Sequence, residues 1–222
     1  MKMNTRYLLL LMLIAFWNCK QKVEKATPEP VFETVKKPEA PSPELGTIAQ
    51  FMGIASDSTV MATQLRSWII DENGVIDSVD IHKGILLYKK LLITGKGELH
   101  PIFGAKDRNE TLVVMSNQGY GGNIRGVFLI DKSTLEIKKV AFEHMAESEG
   151  YGAAIALPTF EDQFQGTKIN WDENTFGLNQ NDKTIIKGDK VVDGISGATI
   201  TSRLTVEMIN NGLKKYKPFF IQ

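Results

Sequence analysis

Three β-rich runs lie close together in the chain: "TLVVMS" (111–116), "RGVFLID" (125–131) and "IKKVAFE" (137–143). Val, Ile, Leu, Phe and Thr dominate them, the residue types that fit a pleated, packed surface. Turn residues separate them, "DKSTLE" between the last two. Parallel neighbours need a crossover of about a dozen residues or more, so strands this closely spaced must pair antiparallel. Upstream, "SWIIDENGVIDSVDI" sets two apolar runs on either side of Asn73-Gly74, a hairpin signature. Downstream, "KTIIKGDKVVDGIS" reads as a second hairpin around Gly188-Asp189. The ends are helical. Ile48, Phe51 and Met52 share one face of a first short helix, and Val60, Gln64 and Ser67 one face of a second. Leu204, Met208, Ile209, Leu213 and Tyr216 recur at near-helical spacing and predict an amphipathic helix over 202–216. The expected fold is α+β: a mainly antiparallel, twisted sheet with flanking helices.

The first 46 residues are of another kind. Lys2 and Arg6 precede the apolar run "YLLLLMLIAFW" (7–17), a basic segment followed by a short hydrophobic one. That run is well short of the roughly 20 apolar residues that span a bilayer. Cys19, the chain's single cysteine, follows, and then the polar "KQKVEK". The arrangement resembles a bacterial lipoprotein signal, in which the cysteine is lipidated and becomes the mature N-terminus. A short uncleaved anchor, or a signal cut elsewhere, is the alternative. Either way the body of the chain is exported, and with the anchor kept it is held at the cell membrane, facing the periplasm or another extracytoplasmic space. Residues 20–46 carry Pro28, Pro30, Pro38, Pro41 and Pro43 among Lys and Glu, so they read as a semi-rigid tether. The expected domain is 47–222. With 222 residues and a hydrophobic fraction of 42%, the chain can build one such domain with a core. A formal net charge of +0 gives no basis for a nucleic-acid partner.

The stretch "DGISGATITS" (193–202) stands out just before the last helix. Ser202 or Thr201 would serve as N-cap. Gly194 and Gly197 allow close backbone approach, and a helix start offers free N–H groups to an anion. Residue chemistry leaves two readings open: a phosphate cradle, or a hydroxyl-rich turn that only caps a helix.

"SGATITS" also resembles the flavinylation motif S/T-G-A-T-x-T/S. That motif belongs to the flavin-carrying C-type subunit of the sodium-pumping NADH:quinone oxidoreductase and the G-type subunit of the related Rnf electron-transfer complex. The likeness continues through "ELHPIFGAKDRNETLVVMSNQGYGGNIRGVFLIDKSTLEIKKVAFEHMAESEGYG" and "FEDQFQG" (160–166), so that it covers roughly 68–217 in order. It implies an FMN-binding domain with FMN joined through its phosphate to Thr201. Ser196, Gly197, Ala198 and Thr199 would surround that phosphate, and Asp193 would orient the turn or be read by the flavin transferase that attaches FMN. The family's E-T-P-G-L-G stands here as Glu147-Ser148-Glu149-Gly150-Tyr151-Gly152. Glu147 would hydrogen-bond the flavin ring or ribityl chain, or else be a solvated acid in "HMAESE". Tyr120 and Tyr151, set among Gly121, Gly150 and Gly152, would stack on the flavin, or else be ordinary packed tyrosines in tight turns. The family's frequent Trp near Gly121-Gly122 is replaced by polar Asn123.

Other chemistries find little support. The three histidines, His82, His100 and His144, are scattered, and no metal site is expected. His144 and Glu147 would meet only on a helix. Glu161 and Asp162 would face opposite sides of a strand. No catalytic residues are named. The main expectation is an exported, membrane-tethered flavoprotein that relays electrons through covalent FMN to other redox carriers. The short signal with a lone cysteine, in place of the family's long membrane helix, favours a free-standing carrier. One alternative is a component of a sodium-translocating NADH:quinone reductase or Rnf-type complex, like the C-type subunit of the former. The other is a non-redox lipoprotein module of the same fold.

Overall fold

A computed structural model describes residues 42–55 and 57–221. The signal, Cys19 and most of the tether lie outside the described residues. Helix α1 (Pro43–Phe51) begins inside the segment expected as tether. Ser42 Oγ accepts the Leu45 N–H at 3.3 Å and Pro43 takes the first helical turn, where its missing N–H costs nothing. Pro43 therefore starts a helix instead of extending a linker. Helix α2 (Ser58–Gln64) is capped by Asp57 and ends before Ser67, which belongs to the first strand.

Strands β1 (Leu65–Ile70) and β2 (Ile76–Val79) form the hairpin expected around Asn73-Gly74, with Ile70 opposite Ile76 and Gly74 at φ +79°. Helix α3 (Ile81–Thr94) adds to the expected elements. Asp80 caps it by accepting the His82 N–H, and Gly95 ends it in the left-handed region at φ +63°. Strand β3 (His100–Ala105), a second addition, pairs with β1 along its length. Strands β4 (Glu110–Gln118), β5 (Asn123–Asp131) and β6 (Glu136–His144) are the three runs that define the fold. The six strands lie in the order β2-β1-β3-β4-β5-β6, every pair antiparallel.

After β6 the chain runs through a 3₁₀ turn (Gly152–Ala156), helix α4 (Pro158–Glu161) and a second 3₁₀ turn (Asp162–Phe164). It then forms β7 (Phe176–Gln180), β8 (Lys183–Ile186) and β9 (Lys190–Asp193), and ends in α5 (Thr199–Phe220). The second expected hairpin is absent. β8 and β9 do not pair; β7 lies between them, antiparallel to β8 and parallel to β9. Gly188 sits directly on the backbone of Phe176 and Gly177, where no Cβ would fit, so the chain passes over the end of β7 and descends on its other side.

Both faces of the large sheet are covered. Leu112, Val114, Val127 and Leu129 pack against Ile85, Tyr88 and Leu91 of α3 and Ile48 of α1. Their neighbours Val113, Met115, Phe128 and Ile130 pack on the opposite side with Val206, Ile209, Leu213 and Tyr216 of α5 and Phe176 and Leu178 of the small sheet. Double coverage is why β4 and β5 read as continuous apolar runs instead of alternating ones. Two side chains fix α5 against its neighbours. The fully buried Tyr216 hydroxyl donates to the Val114 carbonyl at 2.5 Å and accepts the Val114 N–H at 3.2 Å. Asn210 accepts the Phe176 N–H at 3.0 Å and donates to the Phe176 carbonyl at 2.8 Å, acting as an extra strand residue beside β7.

Candidate functional site

The hydroxyls before α5 do not cap it. The helix opens at Thr199, with Ala198 at the cap position and no side-chain hydrogen bond to the first turn. Thr201 and Ser202, expected as caps, lie inside the helix. Ser202 Oγ reaches back and accepts the Ile195 N–H at 2.9 Å. The same peptide strap is held from other sides. Gln180 Nε2 donates to the Ile195 carbonyl at 3.0 Å, and the Gly194 N–H donates to Asn179 O at 2.8 Å. Gln163 grips both backbone groups of Asp193, accepting its N–H at 2.7 Å and donating to its carbonyl at 3.2 Å. The segment 193–198 is thus fixed through its backbone, and it aims an uncapped helix start at one spot. Unfilled N–H groups there favour an anion.

Thr201 and Glu147 form the centre of that spot. Thr201 is 2% exposed, and its hydroxyl donates to Glu147 Oε2 at 2.9 Å. Glu147 is 7% exposed, and its other oxygen, Oε1, accepts the Gly121 N–H at 2.9 Å. It is not a solvated acid. Nor does it share a helix with His144, which ends β6. The two glycines of "EGYG" serve different needs. Gly150 has open space around it but sits at φ +73°, which favours glycine. A Cβ on Gly152 would run into the Glu147 carboxylate and come within 2.8 Å of Thr201 Oγ1. Gly121 is equally tight against the Ala146 carbonyl, which lets its N–H reach Glu147.

A cavity of about 440 Å³ opens over this pair, within the range of roughly 300–1,000 Å³ typical of small-ligand sites. Tyr120, Glu147, Ser148, Tyr151, Gly152, Asn181, Gly197, Ala198, Thr199, Ile200 and Thr201 line it. Tyr120 and Tyr151 are not packed away; they are 72% and 57% exposed. The Tyr151 ring rests on Gly197, where a Cβ would sit 2.8 Å from Cδ1. The lining holds one carboxylate and no Lys or Arg.

Some expected residues stand elsewhere. Ser196 is exposed and outside the lining, because the strap turns there before the helix starts. Asp193 is exposed at the end of β9 and acts on the turn through its backbone. Gly121 and Gly150 shape the walls without lining them. Asn123 is outside the cavity lining and donates to the Ile93 carbonyl at the end of α3 at 2.6 Å. Glu161 and Asp162 are in α4 and the following 3₁₀ turn, not on a strand. Glu161 accepts the Phe142 N–H at 2.7 Å, and burial pushes its carboxyl above the usual range. Ser148, Asn181 and Ile200 join the lining without having been expected there. Asn181 has a signal: Asn181-Asp182, with both φ positive at 51° and 59°, is the tight turn between β7 and β8.

Residues 119–214 match the family model of the FMN-binding domain, a span that includes every residue lining the cavity. The chain carries an FMN-binding domain. Its curated relatives are the C-type subunit of the Na(+)-translocating NADH-quinone reductase. The Chlamydia caviae protein is 30% identical over 129 residues, which are 50% of this chain and 40% of that one. The Chlamydia muridarum protein is 27% identical over 124 residues, 48% of this chain and 39% of that one. The chain therefore spans well under half the length of the curated relatives it matches. The fold is shared with the crystal structure of the same reductase subunit from Parabacteroides distasonis, at TM-score 0.63 and 24% identity over 81% of this chain and 92% of that one. NqrC of Shewanella oneidensis superimposes at TM-score 0.61 and 18% identity, covering 80% and 94%.

The residues of the FMN-binding domain suit the cofactor. The uncapped start of α5 can take its phosphate. Two exposed tyrosines offer planar faces to its ring, and Gly152 and Gly197 bring the wall close.

Proposed function

We propose that this domain carries FMN as a phosphoester on Thr201 and passes electrons through it as an extracytoplasmic part of an NADH:quinone reductase-type complex. The observation that carries the reading is the Thr201 hydroxyl, held by Glu147 in the cavity wall at the uncapped start of α5. The flavin supplies the redox chemistry; the chain supplies binding, orientation and tuning. The N–H groups at the start of α5 neutralise the phosphate, with the Thr199 hydroxyl beside them. Tyr120 and Tyr151 hold the ring plane, and the pinned strap keeps the acceptor from moving. A flavin transferase attaches the cofactor, and other redox subunits give and take electrons.

The names of the relatives favour a role within a complex over a free-standing carrier. The free-standing, lipid-tethered carrier is kept as the second reading for one observation: the basic and apolar run that ends at Cys19. Among the described residues no helix is long and apolar enough to cross a membrane; in either reading the anchor proposed is the N-terminal segment. Intact-mass analysis after co-expression with a flavin transferase tests the covalent link. One FMN-phosphoryl addition is expected on the wild type and none on Thr201→Ala. An adduct retained by Thr201→Ala overturns the assignment. Co-purification with the other reductase subunits separates the two settings.

A further inference from the structure

We infer that Glu147 is the general base of flavin attachment, built into the acceptor domain itself; the inference rests on Thr201 being the acceptor. A threonine hydroxyl is a weak nucleophile and needs a base within hydrogen-bond reach. Glu147 Oε2 is 2.9 Å from Thr201 Oγ1 and receives its hydrogen. Gly121 N–H holds Oε1 at 2.9 Å, and the carboxylate lies in the space that a side chain at Gly152 would fill. No lysine, arginine or histidine lines the cavity, so Glu147 is the only titratable group there besides the tyrosines. Glu147 is buried with two hydrogen-bond donors, Thr201 and Gly121 N–H, and the cavity lining offers it no Lys or Arg, so no ion pair accounts for its position.

The step balances as a phosphoryl transfer without redox change. Thr201 Oγ1 attacks the flavin-side phosphorus of a flavin dinucleotide brought by the transferase. The Oγ1–P bond forms as the phosphoanhydride P–O bond breaks, and the bond's electron pair leaves with the nucleoside monophosphate. The hydroxyl proton passes to Glu147 Oε2. Protonated Glu147 is then neutral, so the new phosphodiester does not face a second negative charge at contact distance. A carboxylate in this place is therefore compatible with the product as well as the reactant.

The test is a time course of mass gain on the purified full chain with flavin transferase and flavin adenine dinucleotide. Glu147→Gln keeps the size and an acceptor oxygen but cannot take the proton. Its maximal transfer rate is expected to fall by about 100-fold or more, with the half-saturating concentration of the chain unchanged. Glu147→Ala is expected to be as slow and to be rescued by added formate, which a purely structural role would not allow. Circular dichroism before labelling confirms that each variant is folded, and the alanine variant with formate decides the matter where the glutamine variant is not. Wild-type rates in folded Glu147→Gln overturn the inference. So does a change confined to half-saturation, which would make Glu147 a docking residue, or an alanine variant that formate leaves unrescued. Labelling of Thr201→Ala, or a wild type that never gains mass, overturns the acceptor assignment instead.

Discussion

Replacing Gly152 by Ala tests whether the Glu147–Thr201 pair is held by the close approach of the chain. The backbone at Gly152 is not in the left-handed region, so alanine costs nothing in conformation there. All of its effect must come from the added methyl. That methyl would overlap the Glu147 carboxylate and sit 2.8 Å from Thr201 Oγ1. The carboxylate has to move, and its bond to Thr201 or to Gly121 must break. A hydrogen bond to a charged group contributes about 1.5–3 kcal/mol, so a loss of about 2 kcal/mol is expected. At roughly 2–4 °C per kcal/mol for a domain of this size, Tm should fall by about 4–8 °C. Gly150→Ala is the control, because the space around it is open and only its φ of +73° is at stake. It should cost about 1–2 kcal/mol and leave flavin loading intact. Differential scanning calorimetry and urea titration give the stabilities. The cost of Gly152→Ala should shrink by more than half in a Glu147→Ala background, where the nearest obstacle is gone. A cost below about 0.5 kcal/mol, or one that persists unchanged in that background, refutes the reasoning.

Two further expectations concern the anchoring of α5. Tyr216→Phe removes the hydroxyl that serves both polar groups of Val114, and leaving buried backbone groups unpaired should destabilise by about 1–3 kcal/mol, read in urea unfolding. His100 is buried beside Lys215, whose Nζ lies 3.2 Å from Nε2; burial first, then the Lys215 charge, pushes the imidazole down to about 4. Unfolded histidine titrates near 6.5, so below that pH the unfolded chain takes the proton first. The penalty is absent above about pH 6.5 and complete below about pH 4. Between pH 7 and pH 5 the fold should lose about 2 kcal/mol through this group. His100→Gln should flatten that part of the pH dependence in parallel urea titrations, and an unchanged slope contradicts the assignment.

What can be read from the chain alone follows how local the signal is. The runs at 111–116 and 125–131 declare themselves because they are buried on both faces, that at 137–143 by its β-rich residues between turns, and Asn73-Gly74 marks its hairpin by turn chemistry. Helix α3 escapes notice although Asp80, Gly95 and the spacing of Ile85, Tyr88 and Leu91 announce it. Gly84 in its middle disguises the pattern, and its reason is tertiary: a Cβ there would lie 3.0 Å from the Phe103 ring and 3.1 Å from Ser67 Cβ. β7 is short, carries Gly177 and is completed by Asn210 from α5, so nothing nearby in the chain signals it. The site divides in the same way. Thr201 and its neighbours form a contiguous motif, whereas the burial of Glu147 depends on Gly121, Gly152 and Thr201 arriving from three separate segments.

The hydroxyls ahead of α5 therefore have separate tasks. Ser202 pins the strap, and Thr205 donates back to the Thr201 carbonyl at 2.9 Å and stiffens the first turn. Thr199 lines the cavity, Ser196 stays outside it, and Thr201 alone is presented to a carboxylate. Because no cation lines the cavity, an anion bound there depends on backbone N–H groups, whose positions are set by the strap and by α5. Those in turn are set by Gln163, Gln180, Asn210 and Tyr216, none of which lines the cavity. The Thr201 hydroxyl is thus held by the chain itself, and on the proposed reading a transferase would have only to bring its flavin to it.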